Sequence, residues 1–358
     1  MARMSTDLPS IPDIFGSDPL ARLLWRLRLS PWRLALIFFL AGAGYMGGLA
    51  AAFGYLLPRA TIVASQGDLF NQLNFFIIFP TVAFYYLWQP MAIVRVYAAI
   101  RRLTPDEVEA ALWSQIRRTN ARPGWWLAGV LVAILGVAAG AYDNLAGLGT
   151  WWYAANGLMI AILQVCNGLI YFMLIVIAAR HVATALGLNR CYRQFKIPLT
   201  ILPARQGSLE VVSRYAFSVT ALLAVVGLNL GTAPLVSPSL GVIYPFQVAA
   251  YFLIGPACFI LPVWQAHRYM ARRRDRLLND LAARYQAEFT LLVDRLQVDS
   301  AEASSSLERV KVLQETYELI GKAPTWPFRL GLVYQLAATV LLPFLFTILQ
   351  VLLGRFLQ

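Results

Sequence analysis

The chain has 358 residues, 59% of them apolar and 13% charged; an average soluble domain is about half apolar and a quarter charged. With a mean hydropathy of +0.61, this excludes a disordered chain and points to a polytopic membrane protein instead of a soluble globule. The 30 Lys and Arg against 18 acids leave a net charge of +12, and only the placement of those charges separates a nucleic-acid partner from a membrane face.

About 30 polar and amphipathic residues precede the first apolar run, and no early apolar core of a cleaved signal peptide is expected among them. Ser17-Asp18-Pro19 has the form of a helix start, with Ser17 as cap and proline in the first turn. Leu20, Leu23, Leu24 and Leu27 then share one face beside Arg22, Arg26 and Arg28, a pattern suited to a helix lying on the inner membrane surface.

Seven stretches are long and apolar enough to span a bilayer, at about 34–57, 69–94, 124–142, 151–179, 215–235, 242–264 and 330–353. Pro80 marks a kink in the second. Gly44, Gly48 and Ala52 form a ridge of small residues in the first, as do Gly136 and Gly140 in the third, which predicts close helix packing. Trp125, Trp126, Trp151, Trp152 and Trp326 flank the span ends as interfacial anchors. Cys166 and Cys258 lie in apolar runs and Cys191 in a basic loop, so no disulfide framework is expected.

The basic residues alternate with the spans. Twenty-eight of the 30 fall before the first span or in the loops after the second, fourth and sixth; Arg59 and Arg355 fall on the other side. By the positive-inside rule the N-terminus is cytoplasmic and the C-terminus outside. The charge is thus a topology signal and no sign of nucleic acid. The expected location is a plasma or inner cell membrane, as a multi-pass protein.

Between the spans lie further helices. Thr104-Pro105-Asp106-Glu107 opens a short one reaching about Arg118. After the sixth span no Pro or Gly interrupts residues 267–297, and Leu278, Leu281, Tyr285, Phe289, Leu292 and Leu296 recur at steps of three and four. The sixth helix is therefore expected to run unbroken into the cytoplasm, turn at Ser304, Ser305 and Ser306, and return through Val310, Leu313, Tyr317 and Ile320 as a helical hairpin. Packing within the chain and packing between subunits both satisfy its seam. The fold expectation is all-α, in four parts: 1–33, a six-span bundle at 34–267, the hairpin at 268–328 and a last span at 329–358.

Chemistry-bearing groups are scarce. The 18 acids lie outside the spans or at their ends, no Lys or Arg sits at a span centre, and His181 and His267 fall at cytoplasmic helix ends. Ion-coupled transporters usually carry ionisable groups in the membrane, and enzymes need clusters of nucleophile, base or ligand. No catalytic residue, metal or cofactor is expected. What the spans hold is uncharged polarity in stripes. In the last one, Gln335, Thr339, Thr347 and Gln350 share a face, with Leu342 and Phe346 as candidate constrictions of a pore. Elsewhere Thr81, Tyr85, Asn156, Gln164, Asn167, Tyr171 and Asn229 could line a polar pocket for a small ligand. Hydrogen bonding between neighbouring helices is the plainer account of both sets.

The seven spans, the inside N-terminus, the prolonged sixth helix and a second helix entering the last span through Ala323-Pro324-Thr325-Trp326-Pro327-Phe328 together resemble the insect odorant and gustatory receptor superfamily. Thr347 and Phe356 loosely match that family's signature near the end of the last span, where this chain reads Gly354-Arg355-Phe356 instead of closing on Gln-Phe. The resemblance implies a homotetrameric, ligand-gated ion channel, chemoreceptor-like, with permeant ions through the last helix and a cytoplasmic anchor of helices. Two other functions fit the residues: a non-conducting sensor or scaffold recruiting a cytoplasmic protein, and a facilitative transporter of an uncharged solute.

Overall fold

The computed structural model describes residues 14–57, 65, 68–101, 109–120, 122–146, 151–194, 207–236, 243–296, 300–323 and 325–326, and of the last span residues 331, 334–335, 337–338, 340–341 and 344–345. Among these residues every regular element is a helix, with no strand.

Helix α1, Pro19–Arg26, is capped by Asp18 and not by Ser17: Asp18 Oδ1 accepts the amides of Leu20 and Ala21, both at 3.1 Å. Pro19 loses nothing at the first helical position, where its missing N–H would be unpaired anyway. The helix ends in a Schellman turn. The amide of Leu29 bonds to Leu24 O and that of Arg28 to Trp25 O, with Arg28 at φ 52°. This reverses the chain into α2, Pro31–Ala52, whose first turn Ser30 caps through the Arg33 amide. Ala21 and Leu24 of α1 are buried against the bundle, whereas Leu23 and Leu27 are more than half exposed.

Helix α3, Leu69–Arg101, is the core of the molecule: Val82, Ala83, Tyr86, Ile93, Val96 and Tyr97 are fully buried. It packs against α2, against α6 (Gly157–Gln194) and against α7 (Gly207–Val236). Both α2 and α3 contain a π-helical turn, Gly44–Leu49 and Asn74–Ile78. The second lies just before Pro80, whose missing N–H would have pointed at Phe76 inside that turn, so the wider turn absorbs the proline. The two helices approach closely at Gly42, where a Cβ would lie 2.8 Å from Phe75 Cβ and 3.0 Å from its carbonyl oxygen. Gly44 and Gly48, expected to form the packing ridge, face open space. Gly136 and Gly140 of α5 (Gly124–Ala146) do seat neighbours, the Tyr171 ring and the Gln164 amide of α6.

Helix α4, Glu109–Asn120, follows α3 and packs on α6. Helix α6 starts later and ends later than the expected span. A 3-10 turn, Trp152–Ala155, precedes it, and it continues to Gln194. Cys191 is therefore buried in a helix and not in a loop, and Trp152 is fully buried and not an interfacial anchor.

Helix α8, Ile243–Ile260, ends at a turn, residues 261–263, before α9, Trp264–Leu296. The sixth helix thus does not run unbroken, and Pro262 supplies the reason: it cannot donate to the carbonyl four residues back. Helix α10, Ser300–Gly321, completes the hairpin with α9. Ser304, Ser305 and Ser306 lie inside α10 and form no turn. Serine's helix penalty is small beside the packing of Leu292, Val310 and Tyr285 in the hairpin seam.

Among the described residues five helices are long and apolar enough to cross a membrane: Pro31–Ala52, Leu69–Arg101, Gly124–Ala141, Gly157–Arg193 and Glu210–Gly231. The sixth expected span is present as a shorter apolar helix, Tyr251–Ile260, and the seventh is described only in part. Leu127, Leu131, Ile134 and Leu135 of α5, Leu36 and Leu40 of α2, and Leu253 of α8 are exposed at roughly half or more of their surface. Such a belt of apolar side chains has no counterpart on a water-soluble monomer and identifies a membrane-embedded protein.

Candidate functional site

Among the described residues a buried polar network joins α1, α3, α6, α7 and α8 around two prolines. Pro90 lies inside α3 and removes the amide that would have paired with the Tyr86 carbonyl. Arg180 Nη1 donates to that carbonyl at 2.9 Å. Pro262 likewise leaves the Cys258 carbonyl without its helical donor, and His181 Nε2 donates to it at 2.8 Å. Adjacent residues of α6 thus satisfy both freed acceptors.

Arg180 is also paired. Its Nη2 donates to Asp18 Oδ2 at 2.7 Å, and the side chains are 3% and 6% exposed. Tyr86 donates its hydroxyl to the same oxygen at 2.7 Å. The guanidinium stacks over the Tyr86 ring at 4.7 Å and the Phe15 ring at 5.5 Å. Asp18 therefore caps α1 with one oxygen and clamps it to the bundle with the other. Beside this pair, His181 Nδ1 lies 3.3 Å from the Tyr215 hydroxyl, which accepts from Gln89 Nε2 at 3.3 Å; that amide also donates to Ile177 O at 2.9 Å. With Nε2 donating, a neutral His181 ring accepts at Nδ1.

The sequence places Arg180 in a loop and His181 at a helix end; both are buried inside α6. The signal that could have found them is the proline spacing. Pro90 and Pro262 each stand four residues after an orphaned carbonyl, and such a carbonyl needs an outside donor when buried.

A second cluster sits at the start of α3. Asp68 caps the helix through the Asn71 amide at 3.0 Å, and its Oδ2 accepts from Asn71 Nδ2 at 2.7 Å and Trp152 Nε1 at 3.0 Å. Burial raises the Asp68 carboxyl above the usual carboxylate range, and the bonds from Asn71 and Trp152 pull it part of the way back. Burial, with the Asp68 charge second, pushes the Tyr153 phenol up.

The seven candidate pocket residues divide between two helix interfaces. Tyr85 is bonded to Ser218, and Asn229 Nδ2 donates to Asn74 Oδ1 at 2.7 Å, both between α3 and α7. Thr81 donates to Ile77 O within α3 at 2.6 Å. On the other side, Gln164 and Tyr171 pack on the glycines of α5, Asn167 is half-buried, and Asn156 caps α6 through the Leu158 amide at 2.8 Å. Gln164 is 6% exposed, and neither atom of its amide has a hydrogen-bond partner among the described residues. Of the seven, Tyr85 and Asn229 make the interhelical hydrogen bonds seen among the described residues.

Of the candidate pore residues, Thr339, Leu342, Phe346, Thr347 and Gln350 lie outside the described residues. The described residues of 331–345 are helical. Phe344 stacks on Phe252 at 4.7 Å between ring centroids, and Tyr251 donates its hydroxyl to Val340 O at 3.3 Å, so this helix packs on α8 through the Val340 and Phe344 side. Gln335 is exposed. At the hairpin base, His267 stacks on Trp326 at 3.8 Å and 8°, and its Nδ1 donates to Thr325 O at 3.1 Å.

Among the described residues no group of three His, Cys, Asp or Glu side chains is placed to hold a metal. No family model, curated protein or solved structure matches the chain.

Proposed function

We propose that the chain is the subunit of a homo-oligomeric, ligand-gated ion channel whose last helix lines the pore. The N-terminus is then cytoplasmic, the C-terminus outside, and the seventh span crosses a plasma or inner membrane. A tetramer is the number that the odorant-receptor resemblance implies. The observation that carries this reading is the one-sided packing of the last helix. Val340 and Phe344 engage α8, whereas Gln335, about 180° from Phe344 at 100° per residue, is exposed. A polar side chain on the face opposite the α8 contact suits a helix that lines water on that side.

The hairpin supports the same reading. Leu307, Val312 and Leu319 of α10 are each more than half exposed, and Phe289, Leu291 and Val293 of α9 are exposed as well. These are apolar surfaces on helices that read as cytoplasmic, where another subunit would cover them.

The test is single-channel recording of the full chain in planar bilayers, alongside its oligomeric mass. The reading expects unitary currents and a lower unitary conductance for Gln335→Leu, because an apolar side chain removes a polar ring from the pore. Monomeric protein, or currents that Gln335→Leu leaves unchanged, would overturn it.

A further inference from the structure

We infer that the junction of α4 and α5 is a binding site for the phosphate headgroup of an anionic phospholipid. Arg117, Arg118 and Arg122, with Ser114 and Pro123, line one open hollow of about 400 Å³. All three arginines are exposed. Four other arginines are paired: Arg180 with Asp18, Arg214 with Glu210, Arg274 with Asp275 and Arg309 with Glu288. No ion pair or hydrogen bond engages the three guanidinium groups among the described residues. Three like charges around one concavity repel each other unless an anion sits between them.

The level of the hollow says which anion. Arg122 and Pro123 lead directly into α5, whose first turn carries Trp125 and Trp126, residues that settle at the headgroup level of a bilayer. Beneath them Leu127, Leu131, Ile134 and Leu135 form an exposed apolar face along the same helix. A phosphate in the hollow thus has an apolar track directly below it for its acyl chains. Free phosphate uses only the upper half of this arrangement; a lipid uses both. Guanidinium groups suit the upper half because they present paired N–H donors to phosphate oxygens.

The site is separate from the proposed pore and does not depend on it. The test is native mass spectrometry of the detergent-solubilised full chain titrated with phosphatidylglycerol, phosphatidylcholine and soluble glycerol phosphate. Arg117→Gln/Arg118→Gln is compared with Arg272→Gln/Arg273→Gln, which removes two exposed arginines from α9. Arg122 is left in place because it also borders the crevice around Asp18 and Arg180. The expected result is retention of phosphatidylglycerol over the other two, weakened about thirtyfold by the α4 pair, taking about 1 kcal/mol per basic residue at an anionic surface, and about threefold or less by the α9 pair. Unchanged thermal unfolding of the α4 variant shows that the loss is local. Equal loss in both variants would mean a diffuse basic face, equal retention of phosphatidylcholine would mean no headgroup preference, and glycerol phosphate binding as tightly as the lipid would mean a free-phosphate site; each overturns the proposal.

Discussion

Replacing Asp18 by Asn separates its two roles. Asparagine caps a helix as well as aspartate does, so the bonds to Leu20 and Ala21 remain available while the charge on the bundle side is lost. Removing one partner of a buried ion pair costs about 3–5 kcal/mol, because the other charge is left uncompensated. Arg180 keeps the Tyr86 carbonyl and two ring faces, which places the expected cost near the lower end, about 3 kcal/mol. That corresponds to roughly a hundredfold more frequent detachment of α1. Hydrogen exchange of the Ala21 and Leu24 amides in detergent micelles reads this directly, since both residues are buried only while α1 is docked. Adding Arg180→Met removes the stranded charge, and the Asp18→Asn/Arg180→Met protein should regain most of the protection. The reasoning is refuted if Asp18→Asn leaves α1 protection at the wild-type level, or if the loss is the same with and without Arg180.

Three further outcomes follow from local geometry. Gly42→Ala places a methyl against the Phe75 backbone as well as its ring, and should lower stability by about 1–3 kcal/mol in a denaturant titration. Arg28→Gly relieves a left-handed residue in the turn after α1 and should raise stability by about 1 kcal/mol in the same titration. The raised Asp68 carboxyl means that the folded state holds its proton more tightly than the unfolded chain. The stability this group contributes is therefore full below the ordinary carboxylate value and is lost as pH rises through the raised one. Unfolding temperatures measured across that window should fall with rising pH in the wild type, and Asp68→Asn should remove that component of the slope.

Helix type and the places of the first five spans were legible because they rest on local quantities. A run of about twenty apolar residues can satisfy its backbone in lipid only as a helix, so the first five spans stand close to their expected places. Helix ends were less legible where two candidates adjoin. Ser17 and Asp18 both suit a cap, and the choice fell to Asp18, whose second oxygen has Arg180 and Tyr86 to bind. The serines at 304–306 read as a turn by composition, yet the seam between α9 and α10 draws them into a helix.

The network around Arg180 marks the boundary between what sequence and structure each decide. Composition, span length and the alternation of basic residues are properties of consecutive residues, and they were enough to establish an all-helical, membrane-embedded chain. That Arg180 and His181 are buried donors, and not loop residues, depends on Asp18, 162 positions away from Arg180, and on Cys258, 77 positions from His181. Proline spacing announces that the Tyr86 and Cys258 carbonyls are free, but only the packing of α1, α3, α6 and α8 decides which side chains reach them. Burial makes each of those bonds obligatory, since an unpaired polar group in the interior costs more than the bond itself returns.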